Sequence, residues 1–246
     1  MEKKAILFDL DNTLYNYDLV HEKALKEVHR ILNRRLNIGL KEFLRLYGIS
    51  KTEIHRELSG TASSHNRILY FQRMIEKTEK TVEPGIILKM YNAYWDSLLK
   101  NMRLYKGVLS LFKELKRRNI KIGIVSNLTT HIQLRKLHKL GLSEYIDILV
   151  TSEEAGREKP HPSMFLFALN KLRVLPSEVL AVGDDPKTDI EGANAVGIDT
   201  VLLVKNVQAK LPKEDYRKPD FIIKDISELS DVLEKTQKFP ASLQRG

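Results

Sequence analysis

The 246-residue chain contains no cysteine, which excludes disulfides, thiolate metal ligands and cysteine nucleophiles. With 42% hydrophobic and 30% charged residues it reads as one large or two modest globular domains; no apolar run reaches the roughly 20 residues of a membrane span, and MEKKAILFD lacks the features of a signal peptide, so a cytoplasmic protein is expected. The net charge of +9 is dispersed in short groups such as KELKRR and NRRLN at helical spacing, as on solvated helix faces, and no nucleic-acid partner is expected. Scarce Gln beside abundant Lys and Glu is a balance reported for thermophilic proteins.

The first element is the apolar run AILF, residues 5 to 8, which suits a central strand of a parallel sheet and stops abruptly at Asp9 and Asp11. Strand ends of this kind are where open α/β sheets place ligands, although Asp and Asn also serve simply as turn residues. Helical periodicity then runs from Asp18 to Asn37, with Val20, Ala24, Val28, Ile31 and Leu32 on one face, and further helices are predicted at 41–47, 51–58, 65–77 and 86–100. From Gly107 short apolar strands alternate with amphipathic helices. The strands fall at 121–125, 146–150, 179–182, 200–204 and 221–223; the helices fall at 108–118, 131–140, 163–172, 188–196 and 226–236. The tail from Lys238 to Gly246 reads as frayed. The predicted class is α/β: a Rossmann-like parallel sheet core with helices on both faces, built from residues 1–14 and 104–246, plus an inserted α-helical unit over 15–103.

Polar residues recur at the carboxyl ends of these strands. Ser126 and Asn127 follow IGIV, Arg157, Glu158 and Lys159 follow ILV, and Gly183, Asp184 and Asp185 follow VLAV. Ser126 is placed either to cap the next helix or to hold phosphoryl oxygens near a helix N-terminus. Lys159, in GREKPHPSMF, is biased toward an extended conformation by Pro160 and is a fixed cation that would keep Asp9 ionised and neutralise an incoming phosphate. In AVGDDPKTDIEGANAVG, Asp184, Asp185 and Asp189 crowd three carboxylates into one loop and the start of a helix. Capping by Asp185 or Thr188 accounts for one acid; with Asp9, the remaining oxygen donors suit Mg²⁺.

The ordered set Asp9-x-Asp11-x-Thr13, Ser126, Lys159-Pro160 and Gly183-Asp184 with Asp189 resembles the four motifs of the haloacid dehalogenase-like hydrolase superfamily, and the helical block between the first two resembles that superfamily's cap. The resemblance implies Asp9 as nucleophile, forming an aspartyl-phosphate, and Asp11 as acid and then base. It implies Thr13, Ser126, Asn127 and Lys159 as substrate contacts. It also implies Asp9, the Asp11 backbone carbonyl and Asp184 as Mg²⁺ ligands, with Asp189, and less directly Asp185, outside them or orienting Lys159.

The implied activity is Mg²⁺-dependent hydrolysis of a small phosphorylated metabolite. Alternatives are a phosphomutase, a 2-haloacid dehalogenase, disfavoured by Asp11 and the acidic Gly183 loop, and a noncatalytic binding module. Tyr17, His21, Arg56, His65 and Arg67 are the cap residues expected to reach a ligand. The oligomeric state is not encoded in any feature of the sequence.

Overall fold

A computed structural model describes residues 2–205 and 215–238; residues 239–246 of the expected frayed tail lie outside that set. Six parallel strands, β1 (Ala5–Phe8), β2 (Lys121–Ser126), β3 (Ile148–Thr151), β4 (Val179–Gly183), β5 (Asp199–Leu203) and β6 (Phe221–Ile223), form one sheet in the order β3-β2-β1-β4-β5-β6. The chain lays β2 and β3 on one side of β1 and then returns to place β4, β5 and β6 on the other. The reversal puts a crevice at the carboxyl ends of β1 and β4, the place where such sheets bind ligands. In register, Phe8 lies level with both Ile124 and Val182, which brings Asp9, Ser126 and Asp184 to one edge.

Helices α1 (Tyr17–Leu36), α2 (Leu40–Glu57), α3 (Arg67–Glu79) and α4 (Pro84–Asn101) lie between β1 and β2 and are followed by α5 (Val108–Arg117). The later crossovers carry α6 (Thr130–Lys139), α7 (Ser152–Ala155), α8 (Ser163–Leu172) and α9 (Glu191–Asn194), and α10 (Leu229–Lys238) follows β6. Side chains of β1 alternate between two cores, as the two-residue period requires. Ile6 and Phe8 pack with Ile122, Ile124, Leu180 and Val182; Ala5 and Leu7 pack with Val125, Ala181 and, from α8, Met164, Phe165 and Ala168.

The inserted helices bury their own apolar stripes: Val20, Ala24 and Val28 of α1 and Met90, Tyr94 and Leu98 of α4 join one cluster with Phe43 and Phe71. The chain enters and leaves this unit through adjacent segments. Tyr15 bridges Leu104, and the Leu14 carbonyl accepts from the Tyr105 N–H at 2.9 Å.

Two local expectations are corrected. The helices predicted at 41–47 and 51–58 are one helix, α2, which runs through Gly48. Interior glycine costs a helix about 1 kcal/mol, but Phe43, Leu46, Tyr47, Ser50 and Ile54 are buried on both sides of it and hold the helix together. The helix predicted at 188–196 is instead a wide π-helical turn, Pro186–Ile190, followed by the single turn α9. The wide turn carries Asp189, whose side chain is buried in the site.

Candidate active site

Asp9 directly follows β1, and its N–H donates to the Val182 carbonyl at 2.9 Å, so its backbone is pinned between β1 and β4. Its Oδ1 accepts from Lys159 Nζ at 2.6 Å. The Thr13 hydroxyl is shared between Asp9 Oδ2 and Asp184 Oδ1, 3.2 Å from each. Lys159, which is buried, also donates to the Val125 carbonyl at 2.9 Å and to Asp189 Oδ1 at 2.7 Å, so its three ammonium hydrogens have three acceptors. Burial opposes the charge on Lys159, but the Asp189 and Asp9 carboxylates outweigh it and hold the ammonium above its ordinary range.

Ligand oxygens of Asp9, Asp184 and Asp189 all lie within 4.8 Å of one another. Burial raises Asp9 to about 7 despite the pull of Lys159, and burial together with the charges of Asp9 and Asp189 raises Asp184 to about 8. Carboxylates crowded and desolvated in this way are relieved by a hard cation with oxygen ligands, so the donor set fits Mg²⁺. Gly183 makes the crowding possible: a Cβ there would lie 2.2 Å from Asp189 Oδ2 and 2.3 Å from its Cγ.

The Asp11 carboxylate is engaged by different partners. Its Oδ1 accepts from the Tyr15 hydroxyl at 2.6 Å, and both oxygens accept from Lys136 Nζ at 2.7 Å. Lys136 comes from α6, is wholly buried, and has the rings of Tyr15, Tyr17 and Trp95 within 5.9 Å of its ammonium. Between the two aspartates and Thr13, Asn12 adopts a left-handed conformation (φ 61°), and its Oδ1 accepts from the N–H groups of Tyr17 and Asp18 at 2.9 and 3.3 Å. The turn that carries both acids is thereby fastened to the start of α1.

At the end of β2 the helix-capping alternative for Ser126 is not realised, because α6 begins after Thr129. The buried Ser126 hydroxyl accepts from Gln133 Nε2 at 2.8 Å, and the same amide nitrogen donates to the Asn127 carbonyl at 2.8 Å. Asn127 Oδ1 in turn accepts the Lys159 N–H at 2.8 Å, which ties the strand end to the loop bearing the lysine. The next residue, Leu128, has φ 123°, a strained value for a leucine, and its N–H is held by Ser152 Oγ at 2.9 Å. Asp185 is exposed and takes the capping role, accepting from the Lys187 N–H at 2.8 Å, whereas Asp189 is the acid that grips Lys159.

These residues line a cleft of about 270 Å³. Its sheet side holds Asp9, Asp11, Ser126, Asn127, Lys159, Asp184, Asp185 and Asp189; its helical side holds Tyr17, Lys51, His55, His65 and Arg67. Thr13 lies behind Asp9 and is fully buried. Of the expected helical-unit residues, Tyr17, His65 and Arg67 reach the cleft and two do not. His21 stacks on Tyr17, its Nδ1 2.6 Å from the Tyr94 hydroxyl, and burial beside Arg67 lowers it to about 3. Arg56 is exposed on α2.

Sequence reasoning missed Lys51, His55, Gln133 and Lys136, and gave Glu158 no part. The Glu158 carboxylate accepts from the Gly60 N–H at 3.1 Å and the Ser64 hydroxyl at 3.0 Å, and it pairs with His65 Nε2 at 2.9 Å. It therefore joins the helical unit to the residue next to Lys159. For Lys136 the available signal was its place in THIQLRKLHK, on the same helix face as Ile132, four residues earlier.

The model of the haloacid dehalogenase-like hydrolase family matches residues 6–203. A ribulose-1,5-bisphosphate 5-phosphatase of Halopiger xanaduensis is 38% identical over 238 residues, covering 93% of this chain and 98% of the relative. A glyceraldehyde 3-phosphate phosphatase of Methanopyrus kandleri is 32% identical, covering 96% and 99%. Among solved structures, a HAD phosphatase from Thermococcus onnurineus superposes with a TM-score of 0.72 at 26% identity, covering 94% of this chain and 97% of that one. With four motifs converging on one sheet edge and phosphatases matching it end to end, the chain belongs to the haloacid dehalogenase-like hydrolase family, among its phosphatases.

Proposed function

We propose that this phosphatase uses Mg²⁺ to hydrolyse a small phosphorylated metabolite through an aspartyl-phosphate on Asp9, beneath a cap formed by residues 15–103. The observation that carries the reading is the placement of Asp9 at the strand-order reversal, with Lys159 on one oxygen and the Asp184 and Asp189 carboxylates beside it. Asp9 attacks phosphorus, and the P–O bond to the leaving alcohol breaks as Asp11 supplies the proton. A water then attacks the acyl phosphate while Asp11 takes its proton, returning Asp9 and releasing phosphate. Ser126 and Asn127 hold the phosphoryl oxygens and the charge of Lys159 offsets theirs, with Thr13 orienting Asp9. Asp9, Asp184 and the Asp11 carbonyl would hold Mg²⁺, with Asp189 orienting Lys159; when bound, the ion supplies neutralisation of the carboxylates and polarisation of the phosphoryl group.

A cleft of this size suits a metabolite, and the two relatives named above are phosphatases of ribulose 1,5-bisphosphate and of glyceraldehyde 3-phosphate. Among the described residues no helix is long and apolar enough to cross a membrane. The test is phosphate release from a panel of sugar and triose phosphates with Mg²⁺ and after chelation. Release that survives chelation and the Asp9→Asn substitution would overturn the mechanism.

A further inference from the structure

The two sides of the cleft differ in charge. The sheet side sets Asp9, Asp11, Asp184 and Asp189 against Lys159 and Lys136, whereas the helical side contributes Lys51 and Arg67 and no carboxylate. Arg67 is buried, and among the described residues its guanidinium has no acidic partner. It donates to the hydroxyls of Tyr17 and Tyr94 and to the His65 carbonyl, and it lies over the rings of Tyr70, Tyr94 and Trp95 at 5.4 to 5.9 Å. The rings fix the plane of the guanidinium where it lines the cleft.

Lys51, on α2, forms no hydrogen bond or ion pair among the described residues, and burial and the charge of Arg67 lower its proton affinity. The neighbouring imidazoles do not change the balance: burial lowers His55, which shares a hydrogen with the Tyr70 hydroxyl, to about 4, and His65 is committed to Glu158. Two cations lining one cleft, one of them buried without an acidic partner among the described residues, are costly to maintain unless an anion arrives beside them. The guanidinium fork matches phosphate in shape, and the ammonium adds a point charge.

We infer that Arg67 and Lys51 form a second anion subsite, so that the preferred substrate is a small bisphosphate: one phosphoryl group reacts at Asp9 and the other is held by these two cations. This inference rests on the phosphatase reading, which already commits Asp9, Ser126 and Lys159 to the reacting phosphoryl group. The anion received on the helical side is then a different group of the same molecule. Arg67 is a specificity residue here and also part of the aromatic packing of the helical unit. Lys51 is exposed on α2 and forms no hydrogen bond or ion pair among the described residues, which makes it the cleaner site to change.

The experiment compares kcat/KM for ribulose 1,5-bisphosphate with that for ribulose 5-phosphate, in the wild type, Lys51→Gln and Arg67→Lys, with p-nitrophenyl phosphate as a tail-free control. The expected result is a wild-type preference for the bisphosphate that falls about tenfold or more in Lys51→Gln, chiefly through KM, as loss of a charged hydrogen bond predicts. Arg67→Lys, which keeps the charge and loses the fork, should lower the same ratio. Hydrolysis of p-nitrophenyl phosphate together with a bisphosphate-to-monophosphate ratio that neither variant alters would overturn the subsite and leave the phosphatase reading standing. A wild type that hydrolyses none of the three would overturn the phosphatase reading. Calorimetric titration with the bisphosphate then decides the subsite, by binding that Lys51→Gln weakens or, against it, leaves unchanged.

Discussion

Lys136 Nζ sits 2.7 Å from both carboxylate oxygens of Asp11, and the lysine that makes this contact is completely buried under the helical unit. Burial alone would push the lysine toward its neutral form; Asp11 opposes that. The pair fixes where the carboxylate proposed as acid and base rests. Lys136→Met keeps the length and apolar stem of the side chain among Tyr15, Tyr17 and Trp95, so the fold should survive. Its kcat should fall by roughly tenfold with little change in KM, short of the 10²- to 10⁴-fold expected for Asp11→Asn. Steady-state kinetics beside a melting curve separates this outcome from simple destabilisation.

Asp9→Asn should abolish turnover and leave the melting transition in place, because the amide matches the carboxyl in volume but cannot form the acyl phosphate. Rapid quench of the wild type with substrate, followed by peptide mass analysis, should find one phosphoryl group on the peptide that contains Asp9. Near-normal activity in a sequence-verified Asp9→Asn protein excludes the covalent route.

Metal removal should expose a pH-dependent weakness. Asp9 and Asp184 ordinarily titrate near 3.8 and are raised to about 7 and about 8 in the metal-free fold, chiefly by burial. The folded chain therefore keeps protons that the unfolded chain has already released, and the stability they contribute is lost as pH rises through those values. Chelated protein should melt at a lower temperature at about pH 8.5 than at about pH 7, and Mg²⁺ should raise the melting temperature more at the higher pH. An Mg²⁺ shift independent of pH would show that these carboxyls are not the ligands.

Gly183→Ala tests the crowding directly. The new methyl would fall 2.2 Å from an oxygen of Asp189, so the acid must move, and with it one of the three acceptors of Lys159. Overpacking of this kind costs about 1 to 3 kcal/mol of stability. Displacement of the lysine should lower kcat/KM by up to roughly 10²-fold. A variant that loses stability and keeps full activity would mean that Asp189 does not position Lys159.

Much of the site was legible because it is local. A strand end fixes where the next one or two side chains go, so AILF followed by Asp9, and VLAV followed by Gly183 and Asp184, disclose their places at the sheet edge from their own neighbourhoods. What escaped reading depends on distant packing. Lys136 is an ordinary basic residue in a helix until Tyr17 and Trp95, far away in the chain, bury it. Within the predicted helix 51–58, Arg56 was expected in the cleft, but the face that α2 turns toward the sheet carries Lys51 and His55, four residues apart, and only packing against the other helices decides which face that is. Arg67 was legible as a residue of the inserted unit but not as a buried cation, since the tyrosines and tryptophan around it come from three different helices.

The three contacts that the inserted unit makes with the Glu158 carboxylate end one peptide bond away from Lys159. Any separation of the helical unit from the sheet must strip that carboxylate of Gly60, Ser64 and His65, and it loosens the segment whose lysine balances Asp9 and Asp189. On the mechanism proposed above, opening the cleft would therefore also slacken the hold on Asp9, so that access and readiness for reaction are opposite ends of one movement.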